Sequence, residues 1–291
     1  MVKIIMFSFL KKNVSVNTRH KIIQFLPKSL RHHIIESYIA KQITTFNNIK
    51  QKLGDEWITG MPGWSITALS DNGMSSGEAV SNFWRTIPVE GNNNSAITYA
   101  ESSILWDIPW LKNNIDRLLH RQGSVLDFGC NAGRVLHVLM ESGYDGVGVE
   151  INPLAVKKGK ETFPILEKAN FFIGEGSEVL PKVKTKSIDV IYSCAVLHHV
   201  APEKIDSILG EFSRIEPKFI ATMENEGSLG VRIYPHDYRK KFSNLGWKEV
   251  ATEYAIDIKA NLFKSIDDPI KKNEMNEAHG LATVLRIYSR A

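Results

Sequence analysis

From residue 124 onward, short apolar runs alternate with segments whose apolar residues recur three and four apart. The run "SVLDF" is followed by "GRVLHVLMES", then "GVGVE" by a segment opening at Pro153 in "NPLAVKKGKETF". "NFFIG", "IDVIYS", a helical stretch around 202–214 and "KFIATM" continue the alternation. Short apolar runs bounded by turn residues read as strands, and strands alternating with helices give βαβ units on a parallel sheet. The end of the pattern differs. "GWKEVATEY" and "ATVLRIYSR" read as two strands with no clear crossover helix between them, which fits an antiparallel pair closing the sheet. The expected fold class is α/β.

Upstream the pattern is less regular. Residues 54–121 begin with turn-rich joints, "GMPGW", "NGMSSG" and "EGNNNS", and pass into a helix from about Tyr99 to His120 that Pro109 interrupts. In residues 1–53, Leu30, Ile34, Ile35, Tyr38, Ile39 and Ile43 fall at helical spacing after Pro27. Charge sharpens this division. The first 53 residues carry ten Lys/Arg against one acid, Glu36, a net of +9, whereas the remainder is mildly acidic. The expected organisation is a basic amphipathic arm (1–53), a helical and irregular cover segment (54–121) and an α/β domain (122–291). A basic helix with an apolar stripe suits an anionic membrane surface, and it equally suits docking on the body with its charges in water.

Composition excludes some classes. The 291 residues are 43% hydrophobic and 23% charged, as in an ordinary globular protein, and no run approaches the roughly 20 apolar residues of a membrane span. Two cysteines, Cys130 and Cys194, are too few for a disulfide framework and suggest a reducing, cytoplasmic setting. "MVKIIMFSFLKK" has no small-residue cleavage site, so no signal peptide is expected.

The chemistry concentrates at the ends of the expected strands. "VLDFGCNAGR" reads as a strand-to-helix turn in which Gly129 and Gly133 allow close backbone approach. Asn131 stands where a dinucleotide fingerprint has glycine, and Asn tolerates positive φ better than most residues. Asp127, just ahead of the turn, would repel a pyrophosphate and suits a ligand with a cationic end. Glu150 closes the second strand, where an acid can accept both hydroxyls of a ribose. After the third strand, in "GEGSEVLP", Glu175 is placed to accept from an adenine amino group, with backbone N–H groups near Gly176 to meet the ring nitrogens.

These segments resemble the class I S-adenosylmethionine-dependent methyltransferases, in their small-molecule or glycan branch, over about residues 122–291. "VLDFGCNAG" is similar to the family's D-x-G-x-G-x-G, with Asn131 as the departure, and "GEGSEVLP" to its G-D-A-x-x-L-P. "SIDVIYSCAVLHHV" and "FSNLGWKEV" resemble its fourth-strand signature and its late L-G-F element. The resemblance implies a Rossmann-like, doubly wound, seven-stranded sheet with an antiparallel last strand, and S-adenosylmethionine as cofactor. Asp127, Gly129, Asn131, Gly133, Glu150, Glu175 and Gly176 would bind it.

For the acceptor, no N-P-P-[YF] loop follows the fourth strand, which speaks against nucleobase amino groups. Relatives that hold a metal here would need acids at Ala195 and His198, so no metal is expected. Some O-methyltransferases of this fold use a His-His pair at this loop with an acid ending strand five. Here the candidates are His198, His199 and Glu224, one histidine serving as base for a hydroxyl proton. Tyr234, His236 and Asp237 are further pocket candidates, with a helix-cap role open for Asp237. Trp84, Trp106, Trp110 and the segment 256–281 are candidates for a cover. Other readings are a non-catalytic module of the same fold, or an RNA methyltransferase recruited through the arm; the arm's aromatics read as packing positions, which disfavours nucleic acid.

Overall fold

The computed structural model describes residues 23, 26–54, 76–87, 107–120, 122–227, 229, 232–262 and 282–290. Among the described residues, three helices with full bounds precede the sheet: α1 (Lys28–Leu53), α2 (Ser76–Thr86) and α3 (Asp107–Leu119). The sheet region then runs β1 (Ser124–Phe128), α4 (Arg134–Glu141), β2 (Asp145–Glu150), α5 (Pro153–Thr162), β3 (Asn170–Ile173) and α6 (Gly176–Val179). It continues through β4 (Val190–Cys194), α7 (Ile205–Ile215), β5 (Phe219–Asn225), α8 (Tyr238–Asn244), β6 (Trp247–Tyr254), α9 (Ala255–Leu262) and β7 (Thr283–Arg290).

The seven strands lie in the order β3-β2-β1-β4-β5-β7-β6. β1 to β5 are parallel, and β7 runs antiparallel to both neighbours, β5 and β6. The expected doubly wound sheet and its closing antiparallel strands are therefore present. Alternation along each central strand supplies two cores. Val125, Val190, Tyr192 and Leu285 face α3 and α4, packing on Leu111, Ile115, Leu136 and Leu139. Leu126, Ile191, Ile220 and Tyr288 face the other way, onto Ile205, Leu209 and Phe212 of α7 and Phe242 of α8. Helices on both faces explain why the strands read as continuous apolar runs. The chain reverses its winding between β1 and β4, and in open sheets ligands bind at the strand ends beside such a reversal.

The apolar stripe of α1 is spent on packing. Ile35 and Ile39 are buried against Tyr254, Ile256 and Val284, and Phe46 against Val80, Ala201 and Tyr234. Of the two destinations open to the stripe, a membrane surface or the body, it faces the body, leaving Lys28, His33, Lys41 and Lys52 exposed. Glu36, the arm's one acid, turns inward. It accepts from Nη2 of Arg286 at 3.0 Å, from both terminal nitrogens of Arg239, and from the Tyr254 hydroxyl at 2.5 Å. Arg286, only 1% exposed, also makes a two-pronged pair with Glu226, both contacts at 2.7 Å, and reaches Glu249 at 3.1 Å. Among the described residues no helix is long and apolar enough to cross a membrane.

Two local expectations shift. α2 begins at Ser76, inside the "NGMSSG" stretch read as a joint, because the residues after it place Val80 and Trp84 on one helical face. α3 starts at Asp107 and carries Pro109 in its first turn, where a missing N–H costs no helical hydrogen bond, so the proline does not break it. Residues 99–106, with Trp106, and residues 263–281 of the expected cover lie outside the described residues.

Candidate active site

The turn after β1 is shaped by backbone. Gly129 (φ +76°), Asn131 (φ +49°) and Gly133 (φ +72°) all adopt left-handed conformations. A Cβ on Gly129 would come within 2.5 Å of the Val196 methyls, and one on Gly133 within 2.5 Å of Leu166. Glycine is therefore required at both places for space as well as for φ. Asn131 can stand at the third because its own Oδ1 accepts from Ala132 N at 2.7 Å. The N–H groups of Gly129 and Cys130 donate to the carbonyl of Val149, which fixes the turn to the end of β2.

Glu150 sits beneath this turn. Its Oε2 accepts from Asn131 N at 2.7 Å and its Oε1 from Asn152 N at 2.9 Å. Burial pushes its carboxyl above the usual range, and the backbone N–H donors oppose that push. Asn152 caps α5 by accepting from Leu154 N, while its Nδ2 donates to the carbonyl of Ile87, the residue after α2.

A cavity of about 400 Å³ opens over these strand ends. Its floor is the backbone after β1, β2 and β3; its roof is α2, which contributes Val80, Ser81 and Trp84. Roof and floor are tied by Lys204 at the start of α7, whose Nζ reaches Glu175 Oε1 at 2.5 Å and Ser81 Oγ at 3.2 Å. Arg85 of α2 approaches the other oxygen of Glu175 at 3.9 Å.

The turn after β4 is organised by Glu224, which is fully buried. Its Oε1 accepts from Ser193 Oγ (2.6 Å), Val196 N (3.2 Å) and Leu197 N (3.1 Å). Its Oε2 accepts from His198 Nδ1 at 2.6 Å and His198 N at 3.3 Å. Burial alone would raise this carboxyl, but the His198 contact and the other donors hold it below its ordinary value. His199 points differently. Its Nδ1 lies 2.6 Å from the carbonyl of Arg232, and because a carbonyl only accepts, Nδ1 carries the proton and Nε2 the lone pair. Burial, then the neighbouring His198, push the His199 imidazole down to about 3.

Of the residues expected to hold a cofactor, Gly129, Asn131, Glu150, Glu175 and Gly176 line the cavity. Asp127 is buried behind the turn and off the wall, and burial with the nearby Glu150 raises its carboxyl to about 7. Gly133 serves as N-cap of α4. Of the catalytic candidates, His199 lines the cavity; His198 and Glu224 lie behind it, the two histidine rings 4.2 Å apart. Tyr234 and His236 are buried off the wall, His236 donating from Nε2 to the Val200 carbonyl, and Asp237 caps α8 by accepting from Lys240 N. Trp84 is on the wall, whereas Trp110 is a core residue bonded to Glu253. Lys204, Ser81 and Arg232 were not foreseen. Each acts on a partner 29 to 123 residues away, and no local spacing marks such pairs.

Residues 126–216 match the family model described as a methyltransferase domain. Over these residues the chain is similar to a methyltransferase domain. A magnesium protoporphyrin IX methyltransferase from Synechocystis PCC 6803, solved with bound S-adenosylhomocysteine, shares the fold: 13% identity, TM-score 0.52, covering 74% of this chain and 99% of that one. A TehB-like methyltransferase from Corynebacterium glutamicum is similar at 18% identity and TM-score 0.48, covering 67% and 92%. A putative sarcosine dimethylglycine methyltransferase from Galdieria sulphuraria stands at 17% and 0.48, covering 64% and 85%. No curated protein matches the sequence.

The cavity fits the methyltransferase cofactor. Its floor admits no Cβ at Gly129, and Glu150, Glu175 and Gly176 line it where the resemblance would place the ribose and the adenine. S-adenosylmethionine supplies an electrophilic methyl group on sulfur when bound.

Proposed function

We propose that this methyltransferase acts on a hydroxyl of a small-molecule or glycan acceptor, with His199 Nε2 receiving the hydroxyl proton. The observation that carries the reading is the tautomer. The Arg232 carbonyl fixes the proton on Nδ1 of a histidine that lines the cavity. An imidazole held neutral in this way is always ready to accept, though it is a weak base. Weakness is tolerable because a hydroxyl oxygen becomes strongly acidic only as its new bond to carbon forms. His198 and Glu224 then act as positioning residues: Glu224 grips the turn through three backbone N–H groups, and the His198 ring backs that of His199.

Incubation with methyl-labelled S-adenosylmethionine and fractionated lysate tests this reading. Label should enter small molecules or glycans; label in RNA, or none anywhere, favours the recruited RNA enzyme or the non-catalytic module. In His199→Gln, turnover should fall by roughly 10²–10⁴ with cofactor affinity kept. Full activity in that variant removes the base.

The arm suggests where the enzyme works. With Glu36 turned inward, Lys28, His33, Lys41 and Lys52 face outward with no acid among the exposed residues of α1, which supports peripheral contact with an anionic membrane by charge alone. Such contact should appear as cosedimentation with anionic liposomes that is lost at high salt. Protein left in the supernatant at low salt counts against it.

A further inference from the structure

Arg232 meets the proposed base in two ways. Its backbone is left-handed (φ +57°), and its carbonyl accepts the His199 Nδ1 proton. Its guanidinium stacks on Phe83 of α2, with Cζ 3.7 Å from the ring centroid. Phe83 meets Trp84 edge-on at 5.1 Å, and Trp84 returns to His199 at 4.7 Å. Arg232, Phe83, Trp84 and His199 therefore form one continuous cluster; Trp84 and His199 line the cavity, and Arg232 and Phe83 stand next to them off its wall.

The polarity of this cluster is one-sided. Among the described residues no carboxylate lies within ion-pairing distance of Arg232, whereas Arg286 has three such partners. The Trp84 indole N–H is a second donor, buried and without an acceptor among the described residues. A partly buried guanidinium with no counter-ion among the described residues is held at a cost, and burial pulls its pKa down accordingly. Stacking on Phe83 recovers part of that cost and holds the fork in place.

We propose that Arg232 is the subsite for an anionic group, carboxylate or phosphate, carried by the acceptor whose hydroxyl meets His199. The proposal rests on the reading of His199 as base and adds the acceptor's class: a hydroxyl compound bearing an acid or phosphate. The guanidinium is a fixed, planar, two-pronged donor suited to either anion. Its charge also disfavours imidazolium at His199, so an anion seated on it returns basicity to the ring when acceptor is present.

The test is calorimetry on the full-length protein loaded with S-adenosylhomocysteine, titrated at constant ionic strength with inorganic phosphate, glucuronate and, as the uncharged control, glucose. At least one anion should bind saturably and glucose should not. Arg232→Met should weaken anion binding roughly 10–100-fold, with Arg232→Lys between the two. The tighter anion identifies the source as phosphate or carboxylate. Equal binding by wild type and Arg232→Met, or no anion binding by the wild type, overturns the proposal. If the methionine variant does not fold, the lysine variant decides, because it keeps the charge and loses the fork; undiminished anion binding there overturns a guanidinium subsite. The two readings fail separately. Inactive His199→Gln with an anion-blind Arg232 keeps the base and removes the subsite; active His199→Gln with anion binding lost in Arg232→Met does the reverse.

Discussion

On the floor of the cavity the holding groups are backbone and close in sequence: three left-handed residues within five positions, and a Glu150 carboxylate gripped by N–H groups 19 residues before it and two after it. At the roof and along α1 they are side chains far apart in sequence. Lys204 bridges Glu175 and Ser81, and Arg286 reaches back 250 residues to Glu36. A floor of backbone can be carried by a short motif, since each residue's φ and size are local demands. A roof of paired side chains has no local demand to display. The floor of the cavity is thus compact in sequence, while what covers and stabilises it is dispersed.

The sharpest way to break this contrast is to remove Arg286. Arg286→Met leaves Glu226, itself 3% exposed, without its counter-ion, and breaking a buried pair in this way costs about 3–5 kcal/mol. The urea unfolding midpoint should drop accordingly. Glu36→Gln removes a partly exposed partner and should cost only about 1 kcal/mol. Equal losses would mean that the arm is held chiefly by Glu36, not by its apolar packing.

On the floor, Glu150→Ala should weaken cofactor binding by about 1–3 kcal/mol, the range for a lost buried polar contact. Calorimetry with S-adenosylhomocysteine measures it. Loss of unfolding stability with affinity intact would show that Glu150 serves only its two N–H donors.

A finer comparison is in pH. His199 and His236 are held neutral when folded, at about 3 and about 4 against an ordinary 6.5. Below pH 6.5 the unfolded chain binds protons that the folded one refuses, so their stability is present above 6.5 and lost as pH falls toward those values. Asp127 has the opposite sign. Its folded carboxyl, at about 7 against 3.8, takes up a proton before the unfolded one does, which adds stability as pH falls through that window. Asp127→Asn should therefore steepen the acid limb of unfolding midpoint against pH. An unchanged limb would show that Asp127 is already ionised in the folded state.

The alternation of strands and helices, the antiparallel closing pair and the wall residues Gly129, Glu150 and Glu175 were legible because short local patterns carry them, whereas the strand order was not. The histidine pair was legible as a pair but not as a division of labour. Only the fold shows that Glu224 takes His198 while the Arg232 carbonyl takes His199, since the two partners lie 26 and 33 residues away. The stripe on α1 was legible as apolar, but its destination was not: a helix that buries Ile35 and Ile39 on β6 and β7 has the same periodicity as one that lies on lipid. α2 was hidden by the glycine and serines at its start.

The insertion of β7 between β5 and β6 sets an order of events for the growing chain. A ribosome delivers α1, with Glu36, more than two hundred residues before it delivers Arg286, and it completes β5 and β6 while the space between them is still empty. Until residues 283–290 emerge, β5 and β6 each present a bare edge, and Glu226 waits without its cation. Such edges invite pairing with other chains. Closure of this sheet is thus a late step in synthesis, and until then the nascent molecule carries unpaired strand edges and an unpaired acid.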